Sequence, residues 1–464
     1  MVDAKSEAMP ITSPPVSDIV DGLTALTGTA VGPTRISGAD PITPSPHRIG
    51  DASAAAIAAF GAQIAALGDS SVVSVSVADA VDQLRAAYLT TINGQPTRLI
   101  AEDPTALRNN DFYRTADGWT FLITTFPHQR DAVCAVLDCP PTKERIAQAA
   151  LTWNSVALEE AVVAAGGVAA AARTAQQWAG SPVGIDVARR PVIDLERIDD
   201  AEPESLTAPR EWPPLTGVRV VDMTHVIAGP VSTELLATFG ADVVHVTRPD
   251  LVDPHPMPAL TGGGKRNAYC DVRDPDQLAA LTGLIADADV FVNAYRGLQR
   301  HGLDAEHLAQ RRPGIIVVEY HCWGSDGPWG DRGGFDQLAC SATGFSLEEG
   351  LGGPPKLPPT HLLNDYLAAY LGATGIVAAL RRRQSEGGSW RVRINLARVC
   401  TWVHSLGLSG AAPDTDWGTR SIDLTTVDGP FGRIDEPVIP IFFDGKPTPH
   451  PLPARPLGTS PLTW

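Results

Sequence analysis

From Leu215 onward, short runs of β-branched and apolar residues take turns with longer stretches whose apolar positions recur at helical spacing. VRVVDM (218–223) reads as a buried strand, VSTELLATFG as a helix closed by Gly240, and DVVHVTR (242–248) as the next strand. A helix near 277–286 precedes the strand DVFVNAY, another near 305–312 precedes GIIVVEYH, and a long apolar helix runs over about 365–383. This alternation predicts an α/β fold with a doubly wound, parallel, Rossmann-like sheet.

Upstream the periodicity is weaker. The stretch to about residue 49 predicts no clear element, whereas DASAAAIAAFGAQIAAL from Asp51 is small and apolar enough for a closely packed helix. SVVSVSVADAV from Ser71 reads as a strand running into a helix. FYRTADGWTFLI (112–123) predicts a hairpin turning at Asp117-Gly118, because such a pair readily takes positive φ. Helices are expected from about 142 through 178, completing a small α+β unit, and the Pro-rich, acidic segment 182–214 reads as a linker. The expected organisation is therefore 1–210 for the N-terminal segment and small domain, 215–410 for the large domain and 411–464 for a Pro-rich tail that packs back on it. DYLAAYLGATGIVAAL followed by WRVRINLARV echoes the earlier DASAAAIAAFGAQIAAL followed by VVSVSVADAV, which predicts a partial internal repeat.

Length and composition support two domains with sizeable cores: 464 residues, 44% hydrophobic and 19% charged. A formal charge of −17 argues against nucleic acid as the main partner, so an anionic ligand has to be met by a local cluster of Arg and Lys. The six cysteines lack metal-ligand spacing and read as reduced thiols, and no metal or redox cofactor is implied. No apolar run approaches the roughly 20 residues that span a bilayer, and MVDAKSEAMPITSPP lacks signal-peptide regions. The expectation is a cytoplasmic protein without a membrane partner.

Four features carry candidate chemistry. THVIAGP (224–230) turns from a strand into a helix, where backbone N–H groups suit an anionic ligand. GxGxxG is absent there, and the second strand ends in Thr247-Arg248 instead of a ribose-binding acid, which disfavours an NAD site. Arg248, Lys265, Arg266, Arg273 and Arg300 all fall near strand ends and are expected to form a phosphate subsite together. Asp365 in PPTHLLNDYLAAY admits two readings, a helix N-cap or a nucleophile toward an activated acyl group. Finally, CWGSDGPWGDRGGFDQ (322–337) is a Gly- and aromatic-rich loop of the kind that lines sites, and His225, His321 and His361 are secondary acid/base candidates.

Taken together, these segments resemble the family III CoA-transferases, which include formyl-CoA transferase, carnitine CoA-transferases and α-methylacyl-CoA racemases. The resemblance rests on five blocks in family order over about 215–399: LTGVRVVDMTHVIAGPVSTELLATFGADVVHVTRP, GKRNAYCDVRDP, ADVFVNAYRGLQRHGLD, PGIIVVEYHCWGSDGPWGDRGGFDQLACSATG and LNDYLAAYLGATGIVAALRRRQSEGG. It implies that Asp365 attacks an acyl-CoA thioester to give an aspartyl mixed anhydride, from which CoA thiolate forms an enzyme-bound thioester that an incoming acid takes over. It also implies that His225, Val226, Ile227 and Ala228 contact CoA, that Arg248, Arg273 and Arg300 serve its phosphates, and that Cys270 and Tyr295 lie close to it. CoA is then substrate and product, the other substrates are an acyl-CoA and a carboxylic acid, and the implied assembly is a homodimer.

The sequence departs from the family in several places. Residues before about 214 resemble the family's later portion, with DGWTFLI and the helices to Trp178 similar to its small lid domain, so the chain order reads as rearranged or partly duplicated. Ala294 stands where transferases often place Asn, and the Gly-rich loop that shields the intermediate in formyl-CoA transferase is missing. Racemases place a His beside the Asp that matches Asp336, whereas here the neighbour is Phe335, which favours transfer over racemisation. A CoA-thioester-binding or pairing subunit without turnover is the third reading, and it gains if Asp365 and the basic cluster lie apart.

Overall fold

The computed structural model describes residues 14–68, 70–97, 107–206, 212–410, 417 and 420–464. At its centre is a seven-stranded sheet in the order Arg266–Tyr269, Asp242–Thr247, Arg219–Met223, Val290–Asn293, Ile316–His321, Ser389–Asn395, Asp194–Asp199. The first six strands are parallel. Counted along the chain from Arg219 their order is 3-2-1-4-5-6, the doubly wound arrangement whose ligand crevice opens where the winding reverses, outside the carboxyl ends of strands 1 and 4. Those two strands are Arg219–Met223 and Val290–Asn293, paired Val290 to Val220 and Asn293 to Met223.

The seventh strand corrects the linker expected at 182–214. Within it Pro182–Arg189 is a helix, capped by the Ser181 hydroxyl, and Asp194–Asp199 lies antiparallel to Ser389–Asn395. Its sequence DLERID alternates weakly and was masked by the surrounding prolines, yet it covers an edge that would otherwise expose unpaired backbone groups. The large sheet therefore takes a strand from the segment expected to belong to the small domain.

The hairpin at Asp117-Gly118 is present: Asp111–Arg114 pairs with Trp119–Leu122. A third strand, Ala169–Ala171, interrupts the helical run expected through 178 and completes a small antiparallel sheet, backed by the helices Pro127–Leu137, Lys143–Ala150 and Ser155–Ala164. Three alanines carry little strand signal of their own, so packing decides their conformation. Upstream, Val16–Thr27 forms a helix where none was expected, with Gly28 closing it in a left-handed conformation. The tail does pack back. Leu424–Gly429 and Gly432–Pro437 form a hairpin on Thr91–Ile92, and Phe442–Phe443 joins Val73–Ser76. The chain's first 13 residues and the expected boundary at 411 lie outside the described residues.

Helix Ile49–Leu67 corrects the expectation on apolar runs, since by length and composition it is able to cross a bilayer; 94% of its apolar window is buried inside the protein. Its alanines let neighbours approach on every side, and it packs against helix Asn364–Glu386. The predicted echo has a structural counterpart in these two helices. Each is followed by a strand and a further helix, Val73–Ser76 with Val77–Gln83 and Ser389–Asn395 with Leu396–Ser405. In each an early buried Asp has its backbone N–H bound by the side chain of a second Asp: Asp40 Oδ2 accepts from Asp51 at 2.8 Å, and Asp336 Oδ2 from Asp365 at 2.8 Å. Burial pushes both accepting carboxyls, Asp40 and Asp336, up to about 6.

Candidate active site

A cleft of about 640 Å³ opens above the reversal point of the large sheet. Its floor is made by strand ends and the turns that follow them: His225 to Gly229, Ala294 to Gly297, and Tyr320 to Cys322. Asp365 and Leu396 close one side, and the small sheet domain covers the other with Phe126, His128, Gln129, Gly166 and Val168.

The first turn is held in an unusual backbone conformation. Val226 has φ of 65°, a region that costs a β-branched residue on the order of 1–3 kcal/mol, and the Asp253 carboxylate accepts its N–H at 2.8 Å. Gly229 follows because a β-carbon there would collide with the Thr224 side chain. With the turn fixed, the His225 ring stacks on Tyr295 with centroids 4.9 Å apart and planes 13° from parallel. Burial pushes the His225 imidazole below its usual range, and its Nδ1 has no hydrogen-bond partner among the described residues. Beneath the turn, Asp222 receives Lys265 Nζ at 3.0 Å, the Thr233 hydroxyl at 2.6 Å and the Thr224 N–H at 3.0 Å.

Asp365 is the second residue of helix Asn364–Glu386 and is not its N-cap. The capping carboxylate comes from Asp336, 29 residues upstream, which accepts the backbone N–H groups of both Asn364 and Asp365. Asp336 is thereby anchored and fully buried, leaving the Asp365 side chain free to face the cleft. Burial, and then the Asp336 charge, push the Asp365 carboxyl well above the ordinary carboxylate range. The buried Cys322 feels the Asp365 charge, and Leu396 and Phe335, which stacks on Phe126 at 6.2 Å, line the same cleft. His321, in the third strand-end turn, is held neutral by burial at about 4, with Nε2 unpartnered among the described residues.

The loop 322–337 joins the domains. Trp323 and Trp329 lie edge to face at 4.9 Å with Trp178 beside them, and the Trp323 indole N–H donates to the Gly333 carbonyl at 3.0 Å. Arg332 lies over Trp329 at 4.4 Å and donates to Glu159 and Glu160 on the small domain's helix.

Of the residues singled out in the sequence, the cleft gathers Asp365, His225, Val226, Ile227, Ala228, Tyr295, Arg300 and His321. It does not gather the basic cluster as a whole. Arg248 and Arg273 meet beyond the rim on the shared carboxylate of Asp250, at 2.9 and 3.2 Å. Arg266 is committed to Asp242, and Lys265, 1% exposed, is consumed by Asp222. Cys270 is buried with its thiol pushed up to about 11 by burial, pointing at the Gln277 carbonyl, and His361 lies against Tyr88 outside the cleft. Sequence reasoning missed Asp253, the capping role of Asp336 and the covering residues Phe126, His128 and Gln129. None has a local signal, because each acts on a partner far along the chain.

The sequence model of CoA-transferase family III matches residues 14–205 and 215–419. The chain belongs to this family. Among the curated relatives of this CoA-transferase family III chain, acetyl-coenzyme A transferase nodX of Hypoxylon pulicicidum is 34% identical over 214 residues, 44% of this chain and 36% of its own length. The succinyl-CoA–L-malate CoA-transferase alpha subunit of Chloroflexus aurantiacus is 31% identical over 194 residues, 38% of this chain and 45% of its own length. Formyl-CoA:oxalate CoA-transferase of Bradyrhizobium diazoefficiens is 33% identical over 207 residues, 40% of this chain and 48% of its own length. The family III chain thus spans between 36% and 48% of these relatives. Among solved structures, Rv3272 from M. tuberculosis is 26% identical with a TM-score of 0.38, over 41% of this chain and 55% of that one.

Proposed function

We propose that this chain is an acyl-CoA:carboxylate CoA-transferase in which Asp365 takes up the acyl group. The observation that carries the reading is that Asp365, the turn 225–228 and Tyr295 open on one cleft at the reversal point of the sheet. In the proposed sequence an Asp365 carboxylate oxygen attacks the thioester carbonyl of a donor, the C–S bond breaks and CoA thiolate leaves, giving a mixed anhydride. The thiolate then attacks the Asp365 acyl carbon, the donor acid departs and an aspartyl-CoA thioester remains. An acceptor carboxylate attacks that thioester, releasing thiolate, which finally attacks the acceptor's acyl carbon and regenerates the Asp365 carboxylate. Each attack exchanges one acyl bond for another, so no external reductant or oxidant enters.

Within this proposal the turn 225–228 and Tyr295 hold CoA near its thioester. Arg300 inside the cleft takes the phosphates, together with Arg248 and Arg273, which share Asp250 outside the cleft lining. A homodimer and a cytoplasmic location belong to the same proposal, checked by sedimentation and cell fractionation. The deciding experiment incubates the protein with a panel of acyl-CoAs, traps with hydroxylamine or borohydride, and reads the peptide carrying Asp365 by mass spectrometry. Modification in the wild type and none in Asp365→Ala supports the proposal. No adduct, with α-proton exchange in deuterated water, assigns racemisation instead; neither signal assigns a binding or pairing role.

A further inference from the structure

Away from the cleft, three segments converge on a cluster that the proposed chemistry does not use. His47 comes from the segment leading into helix Ile49–Leu67, Glu348 and Glu349 from helix Phe345–Glu349, and His404 from helix Leu396–Ser405. Glu348 Oε2 lies 2.8 Å from His47 Nε2 and 3.0 Å from His404 Nε2, and one ligand atom from each of the three residues falls within 4.8 Å of the others.

We propose that His47, Glu348 and His404 form a divalent metal site of the zinc class. The second ring nitrogen of His47 carries the argument. Its Nδ1 lies 2.8 Å from Glu349 Oε1, a carboxylate that also accepts the Ser45 hydroxyl. Nε2 in turn lies 2.8 Å from Glu348 Oε2, so in the metal-free protein each ring nitrogen meets a carboxylate; a bound ion displaces the Nε2 proton, while the Nδ1–H stays on Glu349 and keeps Nε2 aimed at Glu348 and His404. Metal-binding histidines are oriented in this way by a carboxylate on the opposite nitrogen. The His47 ring is also clamped by Phe345, stacked at 3.7 Å, so one ligand is pre-positioned.

The donor set selects the ion. Two imidazoles and one carboxylate suit zinc and its neighbours, whereas calcium and magnesium require mainly oxygen ligands. Tetrahedral bonds of about 2.0–2.2 Å separate ligand atoms by about 3.4 Å, so the observed spacings need to open slightly. Glu348 and His404, 33% and 31% exposed, have the room to turn, while His47 at 0% supplies the fixed point. Their exposure also leaves an entry path and a fourth position for water. A metal here ties the segment before Ile49 to the two helices that pack on the Asp336 helix, Asp336–Thr343.

The test uses the full chain, stripped with EDTA and dialysed, then titrated with zinc chloride, with bound metal counted by mass spectrometry. One zinc per chain in the micromolar range or tighter is expected, with a melting temperature raised by a few degrees at saturation. His404→Ala and Glu348→Gln are each expected to weaken binding at least tenfold while circular dichroism stays native. Cobalt substitution is expected to give d–d bands without sulfur-to-cobalt charge transfer. Absence of stoichiometric zinc, undiminished binding in both variants, or a thiolate charge-transfer band placing the ion on cysteines would each overturn the proposal.

Discussion

Asp365 and Asp336 are two buried carboxyls whose surroundings push them apart. Asp336 accepts two backbone N–H groups at a helix start, which stabilise its charge, whereas Asp365 is stripped of water by burial and faces that charge. A carboxylate attacks only when ionised, so kcat/KM is expected to rise with pH beyond the ordinary carboxylate range. Asp336→Asn keeps an acceptor for the helix N–H groups and removes the like charge. The acid limb of the pH–rate profile should therefore move to lower pH, while a profile that stays in place would separate Asp336 from the titration. Lys265 yields a stability prediction. Burial pushes Asp222 up, but Lys265, His245 and the two threonine hydroxyls outweigh it and leave the carboxyl at about 2. A folded-state value below the unfolded one contributes stability that is present above the unfolded value and is lost as pH falls toward 2, on the order of 2 kcal/mol in all. Lys265→Met leaves Asp222 buried without its counter-charge and should cost about 3–5 kcal/mol in denaturant unfolding, much of it recovered by adding Asp222→Asn. At this scale what the sequence made legible was that Asp365 and the turn 225–228 open on one cleft, because they sit in contiguous motifs. It was illegible for Lys265, whose strand-end position matched a phosphate ligand although its partner lies 43 residues away.

Among the elements, the parallel strands and their helices were readable because continuous β-branched runs and helical spacing are local signals. Asp194–Asp199 and Ala169–Ala171 were not, since one hides among prolines and the other is all alanine; each is a strand because a neighbouring edge needs a partner. The Asp365 helix shows what such packing demands of single positions. Gly372 faces strand Ile316–His321, and a β-carbon there would meet the Tyr320 hydroxyl. Gly372→Ala is expected to lose about 1–3 kcal/mol despite the better helix propensity of alanine, because Tyr320 has to leave the cleft floor. Tyr320→Phe in that background should restore part of the loss. Equal stability of Gly372→Ala and the parent in urea melts would show that the helix yields instead.

For the whole molecule, the tail is a structural member. Glu436 on the tail hairpin faces Glu234 on helix Ala228–Thr238, and burial together with their mutual repulsion pushes Glu234 to about 8, while burial raises Glu436 to about 7. The native state then holds protons that the unfolded chain has released, so stability falls as pH rises through 7 and 8. The hydrogen-exchange protection factors of Leu424–Pro437, corrected for the intrinsic pH dependence of exchange, should fall over that interval in the wild type and not in Glu436→Gln; unchanged protection would detach the hairpin from this pair. Domain order was partly readable from the echo between the two helices, but not how deeply the N-terminal part enters the large sheet.

The two Asp-capped helices also mark a division of labour. Asp51 repeats the setting of Asp365, yet Arg48 grips its carboxylate at 2.6 Å and it takes no part in the cleft. The Arg48 ion pair neutralises the Asp51 carboxylate and ties it into the fold, whereas Asp365 opens on the cleft. Under the proposed transfer chemistry only the cleft aspartate takes up an acyl group, so trapping with acyl-CoA should label one aspartate per chain.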